Sequence, residues 1–145
     1  MEVDDLSGEV VDAAVRVHRE LGPGLLESVY EMVIAGSLAR RGLKVDRQKP
    51  IDIVFEGMRH PAAFRIDLLV EDKLLVEIKS VERLAPVHGK QLLTYLRLTD
   101  QPVGLLLNFS GATMKEGIRR VVNNYRPQTL SASPRLRVNQ SNGEF

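Results

Sequence analysis

The chain predicts an α/β fold, a mixed β-sheet flanked by helices, and three observations predict it. Apolar residues recur at helical spacing through roughly the first forty positions, and runs of branched apolar residues at strand length fill the middle. A helix-length segment then separates the last two apolar runs. Only a connection of that length can return the chain to lay a strand parallel to the one before it.

Taken in order, Val10, Val11, Ala14, Val15 and Val17 predict a helix from about Leu6 to Glu20, which Gly22-Pro23-Gly24 interrupts. A second helix starts near Leu25 on Leu26, Val29, Tyr30, Val33, Ile34 and Leu38, with Gly42 as its stop. Leu43 to Lys49 and Ile51 to Phe55 read as two strands, followed by a turn at Glu56-Gly57. Phe64 to Val70 and Lys73 to Lys79 form an antiparallel hairpin about the polar turn at Glu71-Asp72. After Ala85-Pro86 a helix runs through about Leu98, and the apolar run Pro102 to Phe109 is a buried central strand parallel to the one carrying Glu77. A last helix is expected from about Lys115 to Asn124. Beyond it, residues 126–145 are rich in Ser, Pro, Asn, Gln and Arg, so the expectation is one domain over residues 1–125 and a flexible tail.

Composition narrows the chemistry. The 145 residues, 43% of them hydrophobic, suffice for one core-bearing domain. With no cysteine, thiolate chemistry and zinc-thiolate sites are excluded, and the three histidines are too scattered to form a ligand motif. Any metal is therefore expected to be hard and oxygen-bound. An acidic N-terminus (Glu2, Asp4, Asp5) and the lack of a membrane-length apolar run lead to the expectation of a cytoplasmic protein with no membrane partner. The net charge of +1 argues against wholesale phosphate neutralisation. Arg40, Arg41, Lys44, Arg47 and Lys49 are close enough in sequence to form a local basic rim or, equally, a solvated helix end and edge strand.

The chemistry-bearing feature is the hairpin, where Asp67, Glu77 and Lys79 stand among residues that should be apolar. Alternation puts Glu77 and Lys79 on one face and Leu74, Val76 and Ile78 on the other, while Asp67 shares its face with Arg65 and Leu69. A three-residue loop, Glu71-Asp72-Lys73, pairs Val70 with Leu74 and stands Asp67 opposite Glu77; a two-residue loop would pair Asp67 with Val76 and break the cluster. Facing carboxylates with a lysine suit metal-dependent phosphodiester hydrolysis, since a divalent cation offsets the charge that shields phosphorus and acidifies water. A cross-strand salt-bridge cluster on a solvated face is the competing reading.

Asp67-x9-Glu77-Ile78-Lys79 resembles the signature of the PD-(D/E)XK nuclease superfamily, with Ile66 where that signature has proline. Gly24-Leu25-Leu26-Glu27-Ser28-Val29-Tyr30 is similar to the motif of the GxxExxY branch, and Gln91-Leu92-Leu93-Thr94-Tyr95 resembles the Gln-x-x-x-Tyr motif of RecB-like nucleases. The resemblance implies a restriction-endonuclease-like sandwich and a magnesium or manganese ion held by Asp67, Glu77 and the Ile78 carbonyl, with Glu27 completing the site. It also implies that Lys79 acts on the attacking water or the phosphate. Gln91 would position Lys79 or a phosphate oxygen, and Tyr95 would stack on a base or sugar or simply fill the cleft. His88, Gln91 and Tyr95 share one helix stripe. His88, His18 near the glycine-proline break, and Gln48 beside Arg47 and Lys49 are further candidate substrate contacts.

The expected function is a metal-dependent nuclease acting on DNA, though nothing in the chain excludes RNA. Cutting both strands of a duplex from one site per chain favours a homodimer. The alternative is a non-catalytic nucleic-acid- or protein-binding module of the same fold.

Overall fold

Helical spacing at the N-terminus forms two helices. In the computed structural model, which describes residues 1–125, α1 spans Val3–Leu21 and α2 spans Glu27–Arg40. Gly22, at φ 71°, ends α1 by donating its amide to the His18 carbonyl at 2.8 Å. Gly42, at φ 83°, ends α2: its amide bonds the Ala39 carbonyl and the Leu43 amide bonds that of Leu38, the paired closure that favours a residue without Cβ.

Five strands follow: β1 (Val45–Phe55), β2 (Met58–Val70), β3 (Leu74–Lys79), β4 (Val103–Asn108) and β5 (Ile118–Val122), with helix α3 (Pro86–Thr99) between β3 and β4. They lie side by side in chain order. The β3–β4 pair is parallel, as the crossover through α3 requires, and the other pairs are antiparallel.

The two strand candidates between Leu43 and Phe55 are one strand, β1. Pro50 does not divide it, because β1 is an edge strand among the described residues, a place where a residue without an N–H is tolerated. The expected last helix is also corrected. Lys115–Gly117 is a single 3₁₀ turn and Ile118–Val122 pairs with β4 as the opposite edge strand. Ile118, Val121 and Val122 fit both a helical stripe and a short strand, and the pairing available along β4 decides for the strand. The expected tail, residues 126–145, lies outside the described residues.

Both sheet faces are covered. On one, Leu6, Val10 and Ala14 of α1 and Tyr30, Ile34 and Leu38 of α2 pack on Leu68, Val70, Leu74, Val76, Ile78, Leu105 and Leu107. On the other, Leu92, Leu93 and Leu96 of α3 pack on Ile66, Leu69, Leu75, Leu106 and Val121. Gly104 permits the close approach of α3, since a Cβ there would stand 3.0 Å from a Leu92 methyl.

Candidate active site

The hairpin adopts the three-residue loop. Val70 pairs with Leu74, Leu69 with Leu75 and Leu68 with Val76, so the next step of the register sets Asp67 opposite Glu77. There the backbone ladder ends although both strands continue, and side chains bridge the gap. The Ile78 amide donates to Asp67 Oδ2 at 2.8 Å, and the Asp67 amide donates to Glu77 Oε1 at 3.3 Å. Each carboxylate thus holds the other strand's backbone, which brings the two acids together.

Strict alternation fails at this point. Leu68 packs against α1 and α2, whereas Ile66, two residues away, packs with α3. Opposite the break lies Gln48, at φ 50° within β1, and the β1–β2 register passes from Arg47↔Leu68 to Lys49↔Ile66 without a Gln48–Asp67 pair. The expectation that Asp67 shares a face with both Arg65 and Leu69 assumed a regular strand, which β2 is not.

Glu77 is buried at 5% exposure. Burial, and then the charge of Asp67, push its carboxyl up to about 8, against the weaker pull of the Asp67 amide and of Lys79. Two acids held together, one of them out of water, form a site whose electrostatics favour a cation. Magnesium typically takes one or two carboxylates and keeps several waters, so this donor pair fits such an ion. Among the described residues no group of three or more His, Asp or Glu side chains converges as a metal cluster, so any further ligands would be backbone oxygens or water.

Glu27 begins α2, and its Oε2 accepts the Ser80 amide at 2.9 Å, just beyond Lys79. Asn108, opposite Lys79 across the parallel ladder, is buried and clamps the same stretch, its Nδ2 donating to the Val81 carbonyl and its Oδ1 accepting the Val81 amide. The exit of β3 after Lys79 is thereby pinned from two sides. Lys79 is half-buried and has no carboxylate within ion-pair distance among the described residues.

On α3, Tyr95 stacks on Phe64 with ring centroids 4.1 Å apart, and its hydroxyl is raised by burial and then by the charges of Glu77 and Asp67. Gln91, one turn earlier, is exposed. His88 is occupied in capping α3, its Nδ1 accepting the Ala85 amide at 3.0 Å. His18 is buried, with Nε2 donating to the Gly111 carbonyl at 2.9 Å, so it ties α1 to the loop after β4. Tyr30, fully buried against Phe109, accepts the Leu25 amide and donates to the Gly22 carbonyl, so the tyrosine of the glycine-rich motif shapes the turn that delivers Glu27. Gln48 lies on the acidic residues: its Nε2 donates to Asp67 Oδ1 at 3.2 Å and to Glu31 Oε1.

Sequence reasoning missed Glu31 and Asn108 as parts of this region. A buried acid on an apolar helix face, four residues after Glu27, was the available signal for the first. A polar residue closing an otherwise apolar strand was the signal for the second. The basic rim is also reduced, because Arg41 is paired with Glu9 and Asp12, Lys44 with Asp72, and Arg47 with Glu31.

A mixed sheet between helices, with paired acids and a lysine where two of its strands part, is an α/β sandwich built around an acidic centre. The chain belongs to the PD-(D/E)XK nuclease superfamily, whose family model matches residues 4–121. No curated protein matches it. It is similar to a solved structure titled "Crystal structure of SSO0001", with 18% identity and a TM-score of 0.41 over 92% of this chain and 72% of that one, a likeness too loose to carry an argument.

Proposed function

We propose that the protein is a divalent-metal-dependent nuclease of the GxxExxY branch that hydrolyses phosphodiester bonds in DNA, with residues 1–125 as the nuclease-like domain. The observation that carries this reading is the Asp67–Glu77 pair, two acids brought together by each other's backbone with Glu77 pushed up to about 8. Asp67, Glu77 and the Ile78 carbonyl are the residues assigned to the ion, with Glu27 completing the site through water. Magnesium or manganese bound there would offset phosphate charge and acidify water. Lys79, on the same strand face as Glu77, is assigned to the charge that develops on phosphorus and to orienting the attacking water; it can do both while protonated. Hydrolysis forms a bond from the water oxygen to phosphorus and breaks the bond to the leaving-strand oxygen, which takes up a proton. Glu27 fixes the exit of β3 through Ser80 and so supports Lys79. Gln91 is assigned to a phosphate oxygen and Tyr95 to a sugar or base. A homodimer would supply the second site needed to cut both strands.

The test is single-turnover cleavage of single-stranded, duplex, flapped and branched DNA with Mn²⁺, beside calorimetric Mn²⁺ titration. Lys79→Ala should keep its metal affinity and lose cleavage by about 100-fold or more, and Gln91→Ala should lose less. Wild-type cleavage in Lys79→Ala would remove that residue from the mechanism. Nucleic-acid binding with no metal-dependent cleavage by the wild type would make the protein a binding module of the same fold.

A further inference from the structure

Gln48 stands in a conformation that a mid-strand glutamine has no local reason to adopt. Its φ of 50° lies in the left-handed region, which non-glycine residues occupy at a cost unless surroundings enforce it. The consequence is visible one residue earlier. Arg47 and Gln48, consecutive on β1, both reach the same carboxylate, Glu31, which regular alternation forbids.

Glu31 is 6% exposed and accepts Arg47 Nε at 3.1 Å and Nη2 at 3.0 Å on one oxygen, leaving the other for Gln48. The Gln48 amide therefore lies between two carboxylates, Glu31 and Asp67. Both are acceptors, so the amide must turn its NH₂ toward them, because the reverse orientation would aim its oxygen at two anions. With Gln48 on Asp67 Oδ1 and the Ile78 amide on Oδ2, the carboxylate plane is held at both oxygens, and each oxygen retains a lone pair.

We propose that Gln48, with Glu31 behind it, is a positioning residue that fixes the Asp67 carboxylate for a divalent cation, rather than a contact to substrate. The proposal rests on the reading of Asp67 and Glu77 as the metal-holding pair. Outer partners of this kind orient a ligand before the ion arrives, and their loss typically weakens metal binding by about 10- to 100-fold. The strained backbone at Gln48 serves to aim its side chain at Asp67.

Mn²⁺ titration calorimetry and thermal melts on the full chain test this, using the wild type, Gln48→Gly, Glu31→Gln, the double variant and Asp67→Asn. Glycine adopts φ 50° freely, and that relief offsets the hydrogen bond that buried Glu31 loses, so Gln48→Gly should melt without metal close to the wild-type temperature yet bind Mn²⁺ about 10- to 100-fold more weakly. Glu31→Gln should also weaken binding, and combining it with Gln48→Gly should add little, since both act on the same carboxylate. Should Glu31→Gln fail to fold, Gln48→Gly decides alone. Wild-type affinity in Gln48→Gly while Asp67→Asn loses binding would overturn the positioning role and leave the metal site standing. Affinity and melting temperature falling together in Gln48→Gly would also overturn it, assigning Gln48 to the fold. No Mn²⁺ binding by the wild type would overturn both readings.

Discussion

Glu77 is buried beside a second acid, and the fold holds it there through the Asp67 amide. Its carboxyl rises from 4.5 to about 8, so the folded chain binds a proton that the unfolded chain has released. The group costs no stability below its unfolded value, and metal-free stability falls as pH rises from about 4.5 to about 8. Glu77→Gln, neutral at every pH, should therefore melt higher than the wild type at pH 8 in the presence of a chelator and show little gain at pH 4.5. Chelated melts across that range check it; an advantage independent of pH would mean that Glu77 is not protonating there. Tyr30→Phe probes a different residue: it leaves the Leu25 amide without its acceptor and should cost about 1 kcal/mol in denaturant melts while keeping the fold.

The parting of β2 from β3 beyond Leu68 and Val76 forms the site, and the elements behind it keep β3 in place. One is the parallel ladder to β4, which ends in Lys79↔Asn108, and another is the Asn108 clamp on Val81. Behind Asn108 stands Gly117, where a Cβ would collide with the Asn108 carbonyl oxygen. Backbone cannot yield as a flexible side chain can, so Gly117→Ala should destabilise by about 1–3 kcal/mol, read as a lower denaturation midpoint. Gly104→Ala meets the Leu92 side chain, at 3.0 Å or more, and should cost less. Equal losses in the two variants would mean that the turn before β5 does not brace this strand end.

For the molecule as a whole, a cation held by the acidic centre only in the folded state, as proposed, would link metal to stability. Mn²⁺ at about 100 times its dissociation constant should add about 2.7 kcal/mol, seen as a higher melting temperature. Asp67→Asn, which removes one of the two charges, should show a much smaller rise. Equal rises in both proteins would place the ion elsewhere. Several of the basic residues near β1 are already paired with acids, so substrate affinity is expected to depend on salt less steeply than in a strongly basic nucleic-acid binder.

Local patterns carried much of this protein's design. Apolar spacing specified α1, α2 and α3, and the polar Glu71-Asp72-Lys73 loop allowed a register that sets Asp67 opposite Glu77. The length of the segment around α3 required β4 to run parallel to β3. Those properties depend on neighbours in sequence, and so they were legible there. Other properties depend on partners far along the chain. Ile118–Val122 became a strand because β4 had a free edge beside it, and His18 was taken by Gly111, 93 residues away. Glu27 turned to the Ser80 amide, while Glu31, one helical turn later, reached Asp67 through Gln48. No periodicity encodes a strand that breaks its own alternation. That break, and with it the setting of the acidic pair, was decided by tertiary packing, where a buried carboxylate must find donors wherever the fold brings them.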